Sequence, residues 1–228
     1  MENHFFIVIT TCVLGGIVYY CFRYRLRKKR RVAHLIHNAS FYDFRFEGDS
    51  DATPGDTFAP LRLFSLRVPG KMKNVLTRTV PPMWVFDYEY SIQWDQDVGQ
   101  TVAIIEMRKT KWPPTVIESG KRERFTVAAM RLFTQKLANW QFRYREVDLS
   151  TYPAFGKRYR AFCQGDPDNV KGFLTQPFRD FLVQNPGWNV ETMGQWLLIY
   201  RQGQYLRPEE FGSFIETVLA IYQLIEND

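Results

Sequence analysis

At 228 residues, with 45% apolar and 16% aromatic content, the chain carries far more core-forming material than a disordered sequence and suits one anchored domain. The net charge of +6 and a pI near 9.2 invite a nucleic-acid reading, but the charge is uneven: residues 1–31 hold seven Lys or Arg against Glu2 alone, whereas residues 32–228 hold 23 bases and 23 acids. A charge-neutral domain argues against nucleic acid as partner, and three scattered cysteines argue against a disulfide framework, in keeping with a reducing compartment.

FFIVITTCVLGGIVYYCF, residues 5–22, is an uncharged run of 18 residues. As a helix it spans roughly 27 Å, close to hydrocarbon thickness, and it predicts a single transmembrane helix. MENH precedes it, and the basic cluster Arg23, Arg25, Arg27, Lys28, Lys29, Arg30 and Arg31 follows, which reverses the order of a cleaved signal peptide. The positive-inside rule puts the N-terminus outside and the C-terminal domain on the cytoplasmic side of the cell (inner) membrane, with Tyr19, Tyr20 and Tyr24 at the interface. The cluster also has the character of an anionic-lipid contact. Thr11, Cys12, Gly15 and Gly16 offer a close helix–helix face and with it a weak homo-oligomer.

The anchor and basic stem therefore occupy residues 1–31, a juxtamembrane segment and linker residues 32–60, and a cytoplasmic domain residues 61–228. Within the segment, Phe41, Phe44 and Phe46 fit an edge strand or short helix, and EGDSDATPGDTFAP (residues 47–60) has loop composition. Trp84, Phe86, Tyr88, Tyr90, Ile92 and Trp94 recur at every second position and predict a strand with an aromatic core face. DQDVGQ supplies turn residues and TVAIIEM (residues 101–107) the second strand of a hairpin. A helix is predicted over residues 122–138, and a strand pair from Trp140, Phe142 and Tyr144 with Tyr159, Ala161 and Cys163. Asp166 and Pro167 open an amphipathic helix that Pro177 breaks or kinks. WNVETMG and QWLLIYRQG form another strand pair around Gly194, and Pro208 opens a last helix striped by Phe211, Phe214, Ile215, Val218, Tyr222 and Ile225. The expected fold is α+β: an N-terminal transmembrane helix, then an antiparallel sheet packed with two or three amphipathic helices.

His4, His34 and His37 all precede the domain, so a Ser-His-Asp or Cys-His site lacks its base there. Cys163 is the only domain cysteine, and neither G-x-G-x-x-G nor a Walker pattern occurs, so no metal or cofactor is expected. Asp87 with Glu89, and Asp166 with Asp168, are carboxylate pairs of the type hydrolases use; solvent-facing strand positions and a helix cap explain them more simply. Arg143 and Arg145, with Arg158 and Arg160 on the neighbouring strand, make a candidate anion or lipid-headgroup patch, which Glu146 and Asp148 would offset.

VFDYEYSI with GQTVAIIEM, then PAFGKRYRAFCQGDPDNVKGFLTQPFRDFL and ETMGQWLLIYRQG, resembles uncharacterised bacterial single-pass membrane proteins over residues 61–225. That resemblance implies a bacterial membrane and no particular activity. The expected role is a membrane-tethered interaction or scaffold module whose protein partner is unknown. The alternative is an enzyme on a membrane-associated substrate, using Asp87, Glu89 and Arg160.

Overall fold

The computed structural model describes residues 2–58, 61–65, 70–93, 96–108, 112–120 and 144–226, with the backbone alone for residues 2–14, 17, 24, 27, 92, 93, 96, 97 and 169. The first element, α1 (Glu2–Ser40), is one helix. No proline interrupts it, and the Arg and Lys of the stem are good helix formers, so the helix runs through the basic cluster without a break. Its last turns belong to the domain: Leu35 and Ala39 are 2% and 0% exposed within the main core. The compact unit thus begins well before Leu61, and residues 32–40 of the predicted juxtamembrane segment are helix. Among the described residues no helix is long and apolar enough to cross a membrane. Most side chains of the predicted span at residues 5–22 lie outside the described set.

Among the described residues nine strands follow: β1 (Arg45–Ser50), β2 (Lys71–Thr79), β3 (Pro82–Gln93), β4 (Gln96–Glu106), β5 (Trp112–Ser119), β6 (Arg145–Glu146), β7 (Tyr159–Cys163), β8 (Asn189–Gly194) and β9 (Trp196–Tyr200). They form one sheet in the order β1-β2-β3-β4-β9-β8-β5-β7-β6. Every pairing is antiparallel. The described helices between strands are short, α2 (Pro54–Thr57), α3 (Pro153–Gly156), α4 (Asp168–Phe173) and α5 (Gln176–Gln184), and the last described element is α6 (Phe211–Glu226). The fold is α+β, as its strand and helix patterns predict.

Alternation along the inner strands sends side chains to two different cores. Val85, Ala103, Ile117, Ala161, Val190 and Ile199 meet the ends of α1, α4, α5 and α6 on the first face. Phe86, Tyr88, Tyr90, Val102, Ile104 and Leu198 face the segment from Phe58 to Phe64 on the second. Phe58 wedges among Trp84, Phe86 and Trp196 with ring centroids 5.3, 6.1 and 5.3 Å away. Of the aromatic row predicted to be core, Phe86, Tyr88 and Tyr90 are core and Trp84 packs against it; the Ile92 side chain and Trp94 lie outside the described residues. Phe58, Leu61, Leu63 and Phe64 cover it, Phe58 belonging to the predicted linker, whose residues 47–50 are edge strand β1.

One local reading is corrected. Residues 96–100 of DQDVGQ are strand rather than turn: β4 starts at Gln96, and Glu89 pairs with Gly99 inside the ladder, while Asp95 lies outside the described residues. The glycine serves close approach, since a Cβ there would lie 1.7 Å from the Tyr205 hydroxyl oxygen. At Pro177 the helix is broken, as expected, rather than kinked: α4 ends at Phe173, and Pro177 occupies the first turn of α5, where its missing N–H leaves no helical bond unmade. The helix predicted at 122–138 and the strand positions Trp140 and Phe142 lie outside the described residues.

Candidate functional site

Asp87 sits on β3 facing the first core, and it is 2% exposed. Four hydrogen bonds reach its carboxylate. Arg31 donates from Nη1 to Oδ2 at 2.7 Å and from Nη2 to Oδ1 at 3.1 Å. Asn74 Nδ2 donates to Oδ2 at 2.8 Å, and Thr101 Oγ1 to Oδ1 at 2.6 Å. Each oxygen thus accepts two bonds, which uses the acceptor capacity of the group. Asn74 reaches it from a bulge in β2, where its φ of 52° falls in the left-handed region that asparagine tolerates better than most residues.

The same cluster holds the chain between β9 and α6. Arg31 Nη2 also donates to the Leu206 carbonyl at 2.9 Å, and the Leu206 amide donates to Thr101 Oγ1 at 2.8 Å. The Arg31 guanidinium lies 5.4 Å over the Tyr205 ring, whose hydroxyl donates to Glu89 at 3.1 Å. Asn38, two turns further along α1, donates to the Pro208 carbonyl at 2.7 Å. Arg31, read from sequence as one of seven stem charges, is thus the residue that clasps the stem helix to the sheet.

A second buried carboxylate works in the same way on the opposite face. Glu191 on β8 is 1% exposed; it accepts the Leu63 amide at 3.1 Å and the Tyr200 hydroxyl at 2.9 Å. Burial pushes its pKa up, against the opposing pull of the Arg62 guanidinium. Arg62 itself pairs with Glu118 of β5. Burial also raises the phenols around this site, Tyr90 to about 12, with Tyr144 and Tyr200 moved in the same direction. Glu191 thereby ties the covering segment 61–65 to the sheet as Asp87 ties α1. No sequence motif marks it, because a lone acid in a short apolar strand looks like any solvent-facing position.

Of the arginines proposed as one patch, the three described ones do not gather. Arg145 pairs with Cys163 and so lies toward the first face, whereas Arg160, opposite Glu118, lies on the second. Arg160 donates to Glu146 through Nε at 2.9 Å and Nη2 at 3.0 Å, which holds the Glu146 carboxyl below its usual pKa. Arg158 sits in the turn before β7 and donates to the Val183 carbonyl at 3.3 Å, and Arg143 lies outside the described residues. Asp166 accepts the Asp168 amide at 3.0 Å, a local cap, and Asp168 pairs with Lys171. In the stem, Arg23, Arg25, Lys28, Lys29 and Arg30 are exposed; the Arg27 side chain is outside the described set. Among the described residues no three His, Cys, Asp or Glu side chains come together as a metal site.

Taken together, the geometry is that of a mixed-face sheet carrying a long helix clamped across one end. The same fold occurs in a mycobacterial transport factor. The crystal structure of the mycobacterial trehalose monomycolate transport factor A, TtfA, superposes with a TM-score of 0.53 at 11% identity, covering 85% of this chain and 93% of that one. At that identity the likeness to TtfA is one of fold. No protein-family model and no curated protein matches the chain by sequence.

Proposed function

We propose that the chain is a membrane-tethered interaction or scaffold module, anchored by residues 5–22 with its α+β domain on the cytoplasmic side of a bacterial inner membrane. The observation that carries this reading is on α1. Val18, Tyr19, Tyr20 and Phe22 are large side chains each at least 60% exposed, and the stem cations follow at once, Arg23 donating to the Tyr19 hydroxyl at 3.0 Å. Exposed apolar surface of that kind calls for a partner, and lipid is the partner that an uncharged run of this length followed by Arg and Lys fits best.

The domain supports an interaction role rather than chemistry at the residues first considered for an enzyme. Asp87 and Arg31 satisfy each other, and Glu89 accepts from Tyr205. The name of TtfA, a transport factor, fits an accessory role of this kind in a membrane process. About nine helical residues separate Phe22 from Arg31, so the domain would hang roughly 14 Å from the hydrocarbon edge, within reach of another membrane protein's inner face.

The test uses the full chain. After an alkaline carbonate wash the protein should stay with the membrane fraction. Cys163 is fully buried and does not report topology, so Glu216→Cys, at an exposed position on α6, is introduced with Cys12→Ser and Cys21→Ser. A membrane-impermeant maleimide should modify it only after lysis. Release of the chain by carbonate would overturn the anchor, and labelling in intact cells would overturn the orientation. Photo-crosslinking from domain surface positions should return one reproducible protein partner; a different set of neighbours in every repeat would count against the scaffold reading.

A further inference from the structure

Between the loop after β9 and the first turns of α6 lies a cleft of about 170 Å³ that borders the Asp87 clasp through Thr101, Tyr205 and Leu206. Trp188, Arg201, Gln204, Glu210, Ser213 and Thr217 are among the residues that line it. Their hydrogen-bonding capacity is divided between the two sides. Arg201 is exposed, stacks 4.4 Å over the Trp188 ring, and forms no ion pair among the described residues. A guanidinium is all donor. Trp188 is 2% exposed, and its Nε1–H has no hydrogen-bond partner among the described residues, an arrangement that is costly unless something else accepts that proton. This side of the cleft therefore offers donors.

The α6 side offers acceptors. Ser213 Oγ donates to the Glu210 carbonyl at 3.0 Å and Thr217 Oγ1 to the Ser213 carbonyl at 2.8 Å, so each hydroxyl proton is already used and only lone pairs remain. Glu210 accepts from Arg207, which lowers its pKa and keeps it ionised at neutral pH. Inorganic phosphate brings mainly acceptors and would add like charge beside Glu210. An amine brings donors alone and would meet Arg201. A hydroxyl group is donor and acceptor at once, and several on one ring match both sides. The volume is close to the roughly 150 Å³ of a cavity known to take one six-membered ring.

We infer that this cleft binds a sugar or polyol ring, held between the donors of Arg201 and Trp188 and the acceptors of Ser213, Thr217 and Glu210. The inference does not depend on where the front of the chain resides. The full chain is purified in a zwitterionic detergent without a sugar headgroup and titrated with glucose, maltose, myo-inositol and inorganic phosphate. The indole N–H resonances are followed, with that of Trp188 assigned through Trp188→Phe. At least one neutral probe should shift the Trp188 signal saturably in the millimolar range. Arg201→Ala should weaken that binding about tenfold or more, as loss of charge-assisted hydrogen bonds predicts, without changing the melting temperature. Thr217→Val should weaken it by a smaller factor. Absence of saturation with every neutral probe, equal binding by Arg201→Ala, or tighter binding of phosphate than of the neutral probes would each overturn the proposal.

Discussion

Truncating Arg31 to alanine removes both hydrogen bonds to Asp87 and the one to the Leu206 carbonyl in a single step. Asp87 keeps Asn74 and Thr101 but loses its countercharge in a site where it is 2% exposed. Breaking a buried ion pair costs about 3–5 kcal/mol. The Arg31 side chain is 26% exposed, so water can reach the vacated space, and the lower end of that range is expected. For a domain of this size about 3 kcal/mol lowers the melting temperature by roughly 6–12 °C. Thermal and urea melts of the full chain in detergent measure it, with Asp87→Ala and the double variant completing a cycle. Because the two side chains share one interaction, the double variant should be less destabilised than the sum of the singles, by about 2 kcal/mol. Arg30→Ala, at an exposed neighbouring position, should stay within about 0.5 kcal/mol of the parent. A loss below about 1 kcal/mol for Arg31→Ala, or strict additivity in the cycle, would refute the idea that this pair joins helix to sheet.

Leu35→Ala should cost about 2–5 kcal/mol by leaving a cavity where α1 meets the main core; a change under 1 kcal/mol in urea melts would remove α1 from the domain. The raised pKa of Glu191 means the folded state holds its proton more tightly than the unfolded chain does. A stability penalty should therefore set in as pH rises above the ordinary carboxylate range and be complete above the raised folded value, and Glu191→Gln should flatten this part of the stability-versus-pH curve. Gly70→Ala would put a Cβ 2.1 Å from the fully buried Tyr88 ring and should cost about 1–3 kcal/mol in the same melts. Arg160→Ala, whose partner Glu146 is half exposed, should change stability by at most about 1 kcal/mol.

Period-two and helical patterns were enough to find β3, β7, β8, β9 and α6, because each buries one face and the other meets a different environment. Strands β2 and β5 escaped notice for opposite reasons. In β2 the polar residues Lys71, Lys73 and Asn74 interrupt the alternation at a bulge, and β5 opens with Pro113 and Pro114. The two clasps were the least legible feature. Arg31 carries the same local signal as the six cations before it, and only the 56-residue separation to Asp87, closed by the fold, tells them apart. Asp87 alternates with aromatics as a solvent-facing acid would. What makes it buried is the helix lying across it, and the pattern within one strand does not reveal which element covers its other face. The arginine patch failed for a related reason: adjacent strands were read without register, and a one-residue offset sends Arg145 and Arg160 to opposite sides.

Because α1 has no joint between its front and Arg31, the domain is indexed to whatever grips the first two dozen residues, like a blade fixed on a shaft. Adding one residue to the stem would swing the sheet by about 100° and lower it by only about 1.5 Å, whereas adding seven would return nearly the same azimuth about 10 Å further out. Angular phase, more than spacing, decides which side of the sheet confronts a neighbour.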